Sequence, residues 1–235
     1  MGCDIHIMAE VKENGEWRKN TDPLFKNPFY STNKKRMSFQ EDEYIEEPSS
    51  ARRYDWFAIL ADIRNGYGFA GVSTGSGFDV ISECNGVPHD ACEEWQQYVS
   101  EWQHDMHSES YLDISDFDKF NFEQVTMKSG VISLSDYKKV RGTGDSPSTW
   151  SGGIHGGNTA TVDEHTADRI LTGENIIVSV GDVTKASDEC DIHVQYNWTV
   201  LYREWFSDNI EDTVEPLRKL AEKYDDARIV FGFDN

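Results

Sequence analysis

The stretch that decides the fold lies at the start of the chain and reads CDIHIMAEVKENGEWR, residues 3–18. An apolar-rich run from Cys3 to Lys12 leads to Asn14-Gly15, and a second extended segment resumes at Glu16-Trp17-Arg18. Asn-Gly between two such runs favours a type I′ turn, because both turn residues need positive φ. The sequence therefore predicts an antiparallel hairpin at the N-terminus.

Two helices are predicted in the first half of the chain. The first is capped by Ser49 or Ser50, runs to about residue 65 and stops at Gly66. Its apolar residues recur at i, i+3, i+4 and i+7 and predict one buried stripe, made of Trp56, Ile59, Leu60 and Ile63. The second helix covers roughly residues 91–105. One or two short helices are expected within residues 112–140.

The last third of the chain alternates strand and helix patterns. Segments 175–183, 191–202 and 228–233 read as strands, and segments 161–171 and 210–224 read as helices. Pro216 belongs in the first turn of a helix, so an irregular start is expected around residues 209–215. The final strand, helix and strand have short links and predict a right-handed parallel crossover.

These elements predict one α+β domain over residues 1–235, with a mixed sheet, an N-terminal hairpin and a C-terminal strand-helix-strand unit. Polar, proline-containing residues 20–50 and the Gly/Ser/Thr-rich residues 141–160 are expected to be loops. A chain of this length can bury about 70% of its unfolded surface, so a substantial core is expected.

Charge and composition exclude several classes of protein. The formal net charge is −21, from 43 acidic and 22 basic residues, whereas a protein that binds duplex nucleic acid carries basic residues along its binding surface. No apolar run approaches the ~20 residues that span a bilayer, so no membrane partner is expected. Four cysteines are too few for a disulfide framework. The sequence predicts a protein of the cytoplasm.

The first candidate for chemistry is Asp4-Ile5-His6 in the opening strand. Side chains at i and i+2 point to the same face of a strand, so Asp4 and His6 are expected to lie side by side. A carboxylate and an imidazole in that arrangement suit a divalent metal ion or an acid–base pair. The alternative is a purely structural hydrogen-bonded pair. The same tetrapeptide recurs once, as Cys190-Asp191-Ile192-His193.

Three further residues are candidates because of their chemistry and position. His107 follows the second predicted helix, and Ser108 beside it offers an oxygen to a ligand. Arg64 is expected at the end of the first helix, next to a glycine-rich segment, where its guanidinium either pairs with Asp55 or Asp62 or meets an anionic ligand. The glycine-rich segment matches no nucleotide-binding motif.

Four stretches carry a resemblance to a known family: residues 1–10, 53–66, 107–112 and 228–235. The chain resembles a family of small, uncharacterised phage and prophage proteins that open with Met-Gly-Cys-Asp-Ile-His. The resemblance implies a phage context inside a host cell and brings no established activity. Phage proteins of this size often act on host pathways, including the nucleotide signals of antiviral defence.

The leading hypothesis is a metal-dependent phosphoester hydrolase that acts on a small nucleotide-like substrate. Asp4, His6 and His107 are the expected ligands of a divalent metal ion, which lowers the pKa of a bound water. Asp4 and His6 then serve in catalysis with Asp234, which is expected to act as base or as an extra metal ligand, and Arg64 and Ser108 bind the substrate. The alternative is a non-catalytic binder that sequesters a small ligand or inhibits a host protein through its acidic surface.

Overall fold

The computed structural model describes residues 2–31, 40–68, 71–102, 104–152 and 156–234. Its β-strands are β1 (Asp4–Glu13), β2 (Glu16–Lys19), β3 (Phe25–Lys26), β4 (Tyr44–Ile45), β5 (His107–Asp113), β6 (Val125–Ser133), β7 (Thr159–Val162), β8 (Ile177–Val180), β9 (Val183–Ala186), β10 (Asp191–Leu201) and β11 (Asp226–Asp234).

The helices are α1 (Tyr54–Ala61), α2 (Glu93–Trp102), α3 (Ile114–Lys119), α4 (Leu134–Val140), α5 (Glu164–Leu171), α6 (Tyr202–Trp205), α7 (Ser207–Asn209) and α8 (Glu215–Lys223). A π-helical turn, Ile210–Val214, joins α7 to α8. The fold is α+β, as predicted. No helix in the described ranges is both long enough and apolar enough to cross a membrane.

The chain divides into two compact units. The first unit comprises residues 1–63, 79–122 and 203–235, and the second comprises residues 64–78 and 123–202. The expectation of a single domain stays a prediction, and each unit is described on its own.

A four-stranded antiparallel sheet of order β2-β1-β11-β5 forms the centre of the first unit. The predicted hairpin is confirmed: β1 pairs with β2, and Asn14 and Gly15 between them have φ of 55° and 86°. β11 lies between β1 and β5, with Asp4 opposite Asp234 and Glu10 opposite Arg228. The two ends of the chain are therefore joined in one sheet.

Each face of this sheet is covered by a helix. On one face, Met8 and Val230 pack with Trp95 of α2 in a buried cluster. On the other face, Phe233 contacts Phe57 of α1, with ring centroids 5.2 Å apart. Side chains of successive strand residues alternate between the two faces. Asp4 and His6 lie on the α2 face, which also carries Met8.

Helix α1 is shorter than predicted and is buried all around. It begins after Arg53, without a side-chain cap from Ser49 or Ser50, and ends at Asp62, which has left-handed φ, so Gly66 does not terminate it. Every residue from Trp56 to Ala61 is buried, so the expected stripe is only part of the buried surface. The predicted loop 20–50 contains the short pair β3–β4; residues 32–39 of that loop lie outside the described ranges.

The second unit contains a mixed three-stranded sheet of order β6-β10-β7. β10 pairs antiparallel with β6 and parallel with β7. Helices α4 and α5 pack against β10, and a hairpin of β8 and β9 encloses a second apolar cluster that includes Val178, Val180 and Ile192. The predicted helix at 161–171 and the long strand at 191–202 are confirmed within a few residues.

The predicted parallel crossover at the C-terminus is wrong. β10 belongs to the three-stranded sheet, whereas β11 pairs antiparallel with β1 and β5 in the other sheet. The irregular start of the last helix is confirmed, because the π-helical turn Ile210–Val214 precedes Pro216 in the first turn of α8.

Candidate functional site

The candidate site lies where β1 begins and β11 ends. Asp4 is exposed and His6 is half-buried on the same face of β1, as the strand periodicity predicts. Their cross-strand neighbours are Asp234 and Gly232. Gly232 has no side chain, and the Met106 side chain fills the space where its Cβ would lie.

Asp4 is held by an arginine that the sequence analysis did not single out. Arg52 donates two hydrogen bonds to its carboxylate, from Nε at 2.9 Å and from Nη2 at 2.6 Å. This two-pronged contact lowers the pKa of Asp4. The backbone N–H of Asp4 also donates to Asp234 Oδ1 at 3.3 Å. Asp4 is therefore an ion-pair partner in this structure, with both carboxylate oxygens in use.

His6 is the middle member of a chain of three polar side chains. Its Nδ1 lies 2.6 Å from the hydroxyl of Tyr98 on α2, and its Nε2 lies 3.4 Å from Asp234 Oδ2. The second contact has no hydrogen-bond geometry, so Nε2 is a buried nitrogen without a hydrogen-bond partner. Burial, with the negative charges of Asp234, Glu47 and Glu101, raises the pKa of Tyr98. Its phenol is therefore protonated at neutral pH.

Aromatic rings fix the position of the His6 imidazole. The ring of Trp102 lies 4.5 Å from it, centroid to centroid, and the ring of Tyr98 lies 5.6 Å from it. Only 14% of the His6 side chain is exposed to solvent. The histidine is therefore a rigid, nearly enclosed group whose reactive edge faces Asp234 and Tyr98.

A cleft of about 470 Å³ opens beside these residues and is called here the His6 cleft. Asp4, His6 and Tyr98 line it, together with Lys19 and Glu47, which form an ion pair. Trp95 and Met8 supply apolar surface. The volume is within the range of small-molecule sites, and the mixture of apolar and paired charged groups is typical of them.

The structure does not bring His107 to Asp4 and His6. His107 on β5 is opposite Phe233, and the two rings stack at 6.3 Å. Phe233 precedes Asp234 on β11, so its side chain points to the other face of the sheet. Ser108 follows at a strand irregularity with φ of 53°, and its hydroxyl is 3.1 Å from His107 Nδ1. His107 and Ser108 therefore form a separate local pair.

The predicted set of metal ligands is consequently not assembled. Asp4 is taken by Arg52, and His107 lies across the sheet from His6. Among all described residues, no group of three or more His, Cys, Asp or Glu side chains is arranged to hold a metal ion. Arg64, the expected phosphate-binding residue, belongs to the second unit and lies in the turn after α1 with φ of 52°. The arginine beside Asp4 is Arg52.

The repeated tetrapeptide does not add to the site. Asp191 and His193 lie on β10, whose neighbours are β6 and β7, whereas Asp4 and His6 lie on β1 between β2 and β11. The two copies are in different sheets, so their strands are not paired neighbours.

Sequence analysis missed four residues of the site. Tyr98 and Trp102 lie within the predicted second helix but were not candidates for the site, and Arg52 and Lys19 carried no motif. One signal was present, because an aromatic face that includes a Tyr offers a hydroxyl as well as apolar surface. Arg52 comes from an irregular segment 48 residues away in sequence from Asp4, and no local pattern predicts such a contact.

Comparison of this chain with protein-family models, with curated proteins and with solved structures found no match.

Proposed function

We propose that this chain binds a small, polar, nucleotide-like ligand in the His6 cleft. The observation that carries the proposal is a cleft of about 470 Å³ lined by His6, whose Nδ1 lies 2.6 Å from the Tyr98 hydroxyl and whose Nε2 lies 3.4 Å from Asp234. Such preorganised polar groups beside apolar surface are what orient a small ligand.

The charges around the cleft support a ligand that carries an anionic group. Lys19 and Arg52 are 37% and 48% exposed, and each is paired with one carboxylate of the same site. Because each cation is already balanced by a carboxylate, the site offers an anionic ligand unused N–H donors rather than net positive charge. A phosphate can share their donors with Glu47 and Asp4, since an arginine has five N–H groups and a lysine has three.

The binding proposal is tested by calorimetric titration with nucleoside monophosphates and cyclic nucleotides. His6→Ala and Arg52→Gln are expected to weaken binding about tenfold or more, since each removes a hydrogen bond to a charged or polar ligand group. His193→Ala is the matched control, because it changes the histidine of the same tetrapeptide outside this site. Equal affinities of the His6 and His193 variants, or no uptake of any nucleotide by the parent protein, would contradict the proposal.

A second candidate is phosphoester hydrolysis in the same cleft, favoured by the Tyr98–His6–Asp234 chain. In this proposal Asp234 takes a proton from water as the water oxygen attacks phosphorus. Tyr98, protonated at neutral pH, gives its proton to the leaving oxygen as the ester P–O bond breaks. His6 then carries one proton from Asp234 back to Tyr98. The 2.6 Å contact between His6 and Tyr98 is already a hydrogen bond, whereas the 3.4 Å contact between His6 and Asp234 has to shorten into one when a substrate binds, as catalytic contacts often do.

Tyr98→Phe separates the two candidates. It removes the hydroxyl but keeps the ring, so a binder retains most of its nucleotide affinity and a hydrolase loses turnover. Turnover is measured by chromatography of nucleotides incubated with the protein, with Mn²⁺ or Zn²⁺ and with EDTA in parallel. Turnover that EDTA abolishes supports the metal-dependent hydrolase instead. Unchanged nucleotides under every condition exclude hydrolysis of these substrates and leave the binder.

A further inference from the structure

A second cleft in the first unit is formed around the π-helical turn Ile210–Val214. It has a volume of about 330 Å³ and is called here the Asp212 cleft. Its polar lining includes Lys26, Glu43, Arg53 and Asp212. Its aromatic lining consists of Tyr30, which is exposed, and Trp56, which is only 4% exposed. None of these residues lines the His6 cleft.

The π-helical turn brings Asp212 to this cleft. The N–H of Glu215 donates to the carbonyl of Ile210, five residues earlier, which makes this turn wider than an α-helical one. Single π-turns inside helices occur frequently at functional sites. Thr213, also in the turn, is 3% exposed and lines the cleft beside Asp212.

Two cations from different segments line the cleft together with Asp212, and neither is tightly paired. Lys26 Nζ lies 4.0 Å from Asp212 Oδ1. Arg53 Nη1 lies 3.7 Å from Asp208 Oδ2 and 3.4 Å from Asn209 Oδ1. Ion pairs elsewhere in the unit are as short as 2.6 Å. Lys26 and Arg53 are also 60% and 46% exposed, so their donors are accessible to a ligand.

Asp212 itself is more enclosed, with 26% of its side chain exposed. Burial raises its pKa, although the charges of Lys26 and Arg53 oppose that effect. A partly buried carboxylate is stabilised by a ligand that donates a hydrogen bond or carries a positive charge. The lining thus offers donors for an anion and an acceptor for a cation within one small volume.

We propose that the Asp212 cleft binds a small zwitterion with a flat apolar part, of the chemical class of an aromatic amino acid. Arg53 and Lys26 hold its carboxylate, and Asp212 accepts a hydrogen bond from its ammonium group. Tyr30 and Trp56 contact its ring. The lining of two cations and two carboxylates carries no net charge, so it favours a zwitterion over a simple anion.

The test uses saturation-transfer NMR and calorimetry with L-phenylalanine and L-tryptophan as probes. N-acetyl-phenylalanine lacks the cation and phenylalaninamide lacks the anion. Binding of the free amino acids with at least about tenfold weaker binding of both analogues supports the proposal. Equal binding of the acetylated analogue, or no binding of either amino acid, overturns it.

Neighbouring arginines provide a matched pair of variants. Arg53→Gln is expected to weaken amino-acid binding about tenfold, whereas Arg52→Gln changes the His6 cleft and leaves this affinity unchanged. Asp212→Asn removes the acceptor charge, and its melting temperature shows whether the fold persists. A folded Asp212→Asn protein that binds phenylalanine as tightly as the parent overturns the proposal, whatever the outcome of nucleotide binding at His6.

Discussion

Removal of Arg228 tests the buried ion pair that joins the two ends of the chain. Arg228 Nε donates to Glu10 Oε2 at 2.6 Å across β11 and β1, and the two side chains are 5% and 0% exposed. The other Glu10 oxygen accepts the backbone N–H of Cys92 at 2.7 Å. Arg228 also donates to Asp90 at 2.9 Å, and its guanidinium lies 3.9 Å from the Trp17 ring centroid.

Arg228→Leu leaves the Glu10 carboxylate buried without its counter-ion. Removing one partner of a buried ion pair lowers the free energy of unfolding by about 3–5 kcal/mol. Glu10→Leu is expected to cost a similar amount, because the Cys92 N–H loses its buried acceptor and Arg228 keeps only its contact with Asp90. In the double variant no charge of the pair remains buried. The free energy of unfolding is then expected to fall by only about 1–3 kcal/mol, because the buried Cys92 N–H still lacks an acceptor.

The control is Arg169→Leu, which breaks the Arg169–Glu174 pair in the second unit. That contact is 2.7 Å long, but the two side chains are 47% and 50% exposed. A pair of the same length at the surface contributes about 0–1 kcal/mol. The comparison therefore isolates the effect of burial at nearly constant distance.

Native-state amide hydrogen exchange is the assay for this prediction. It gives the opening free energy of β1 and β11 directly, whereas one denaturation curve can mix the transitions of two units. Two results would refute the reasoning: a loss below about 1 kcal/mol for Arg228→Leu, or a double variant whose loss equals the sum of the two single losses.

Two further predictions concern the core of the first unit. Leu60→Ala in α1, where Leu60 is 1% exposed, is expected to lower the free energy of unfolding by about 2–5 kcal/mol. The surface control Val125→Ala, at 61% exposure in the second unit, is expected to lower it by less than about 0.5 kcal/mol. Native-state hydrogen exchange follows each unit separately, and similarly small losses for both variants would contradict the burial of α1. Burial, with the Glu10 carboxylate adding to it, raises the pKa of Cys92 to about 12, so its thiolate fraction falls to about 10⁻⁴ at pH 8. Mass spectrometry after iodoacetamide treatment should find the exposed Cys84 labelled and Cys92 labelled only after unfolding, and equal labelling rates would disprove the enclosure of Cys92.

Local sequence patterns predicted where helices, strands and turns lie better than they predicted which strands pair with each other. The Asn14-Gly15 turn and the irregular helix start before Pro216 depend on the backbone preferences of a few residues, and both were confirmed. The C-terminal crossover failed because β11 pairs with β1, more than 200 residues earlier in the chain. Strand order depends on such distant contacts, and a strand–helix–strand pattern does not specify them.

In the candidate site, too, the sequence predicted local structure but not contacts between distant segments. Strand periodicity placed Asp4 and His6 on one face, because side-chain direction follows from the backbone. It did not identify Arg52, which pairs with Asp4, or Tyr98, which contacts His6. It also did not show that His107 lies on the opposite face of the sheet. A metal site needs several ligands from separate segments to converge, so the identity of each strand neighbour decides whether one forms.

The repeated tetrapeptide Cys-Asp-Ile-His makes this dependence testable within one chain. In both copies the Asp and the His share a strand face, so their backbone relationship is the same. His6 of the first copy faces Tyr98 and Asp234 beside a cleft, whereas His193 is opposite Ser133 in another sheet. If the motif alone carried the chemistry, His6→Ala and His193→Ala would change ligand binding equally. The structure predicts weaker ligand binding for His6→Ala only, because α2 and β11 place Tyr98 and Asp234 next to His6.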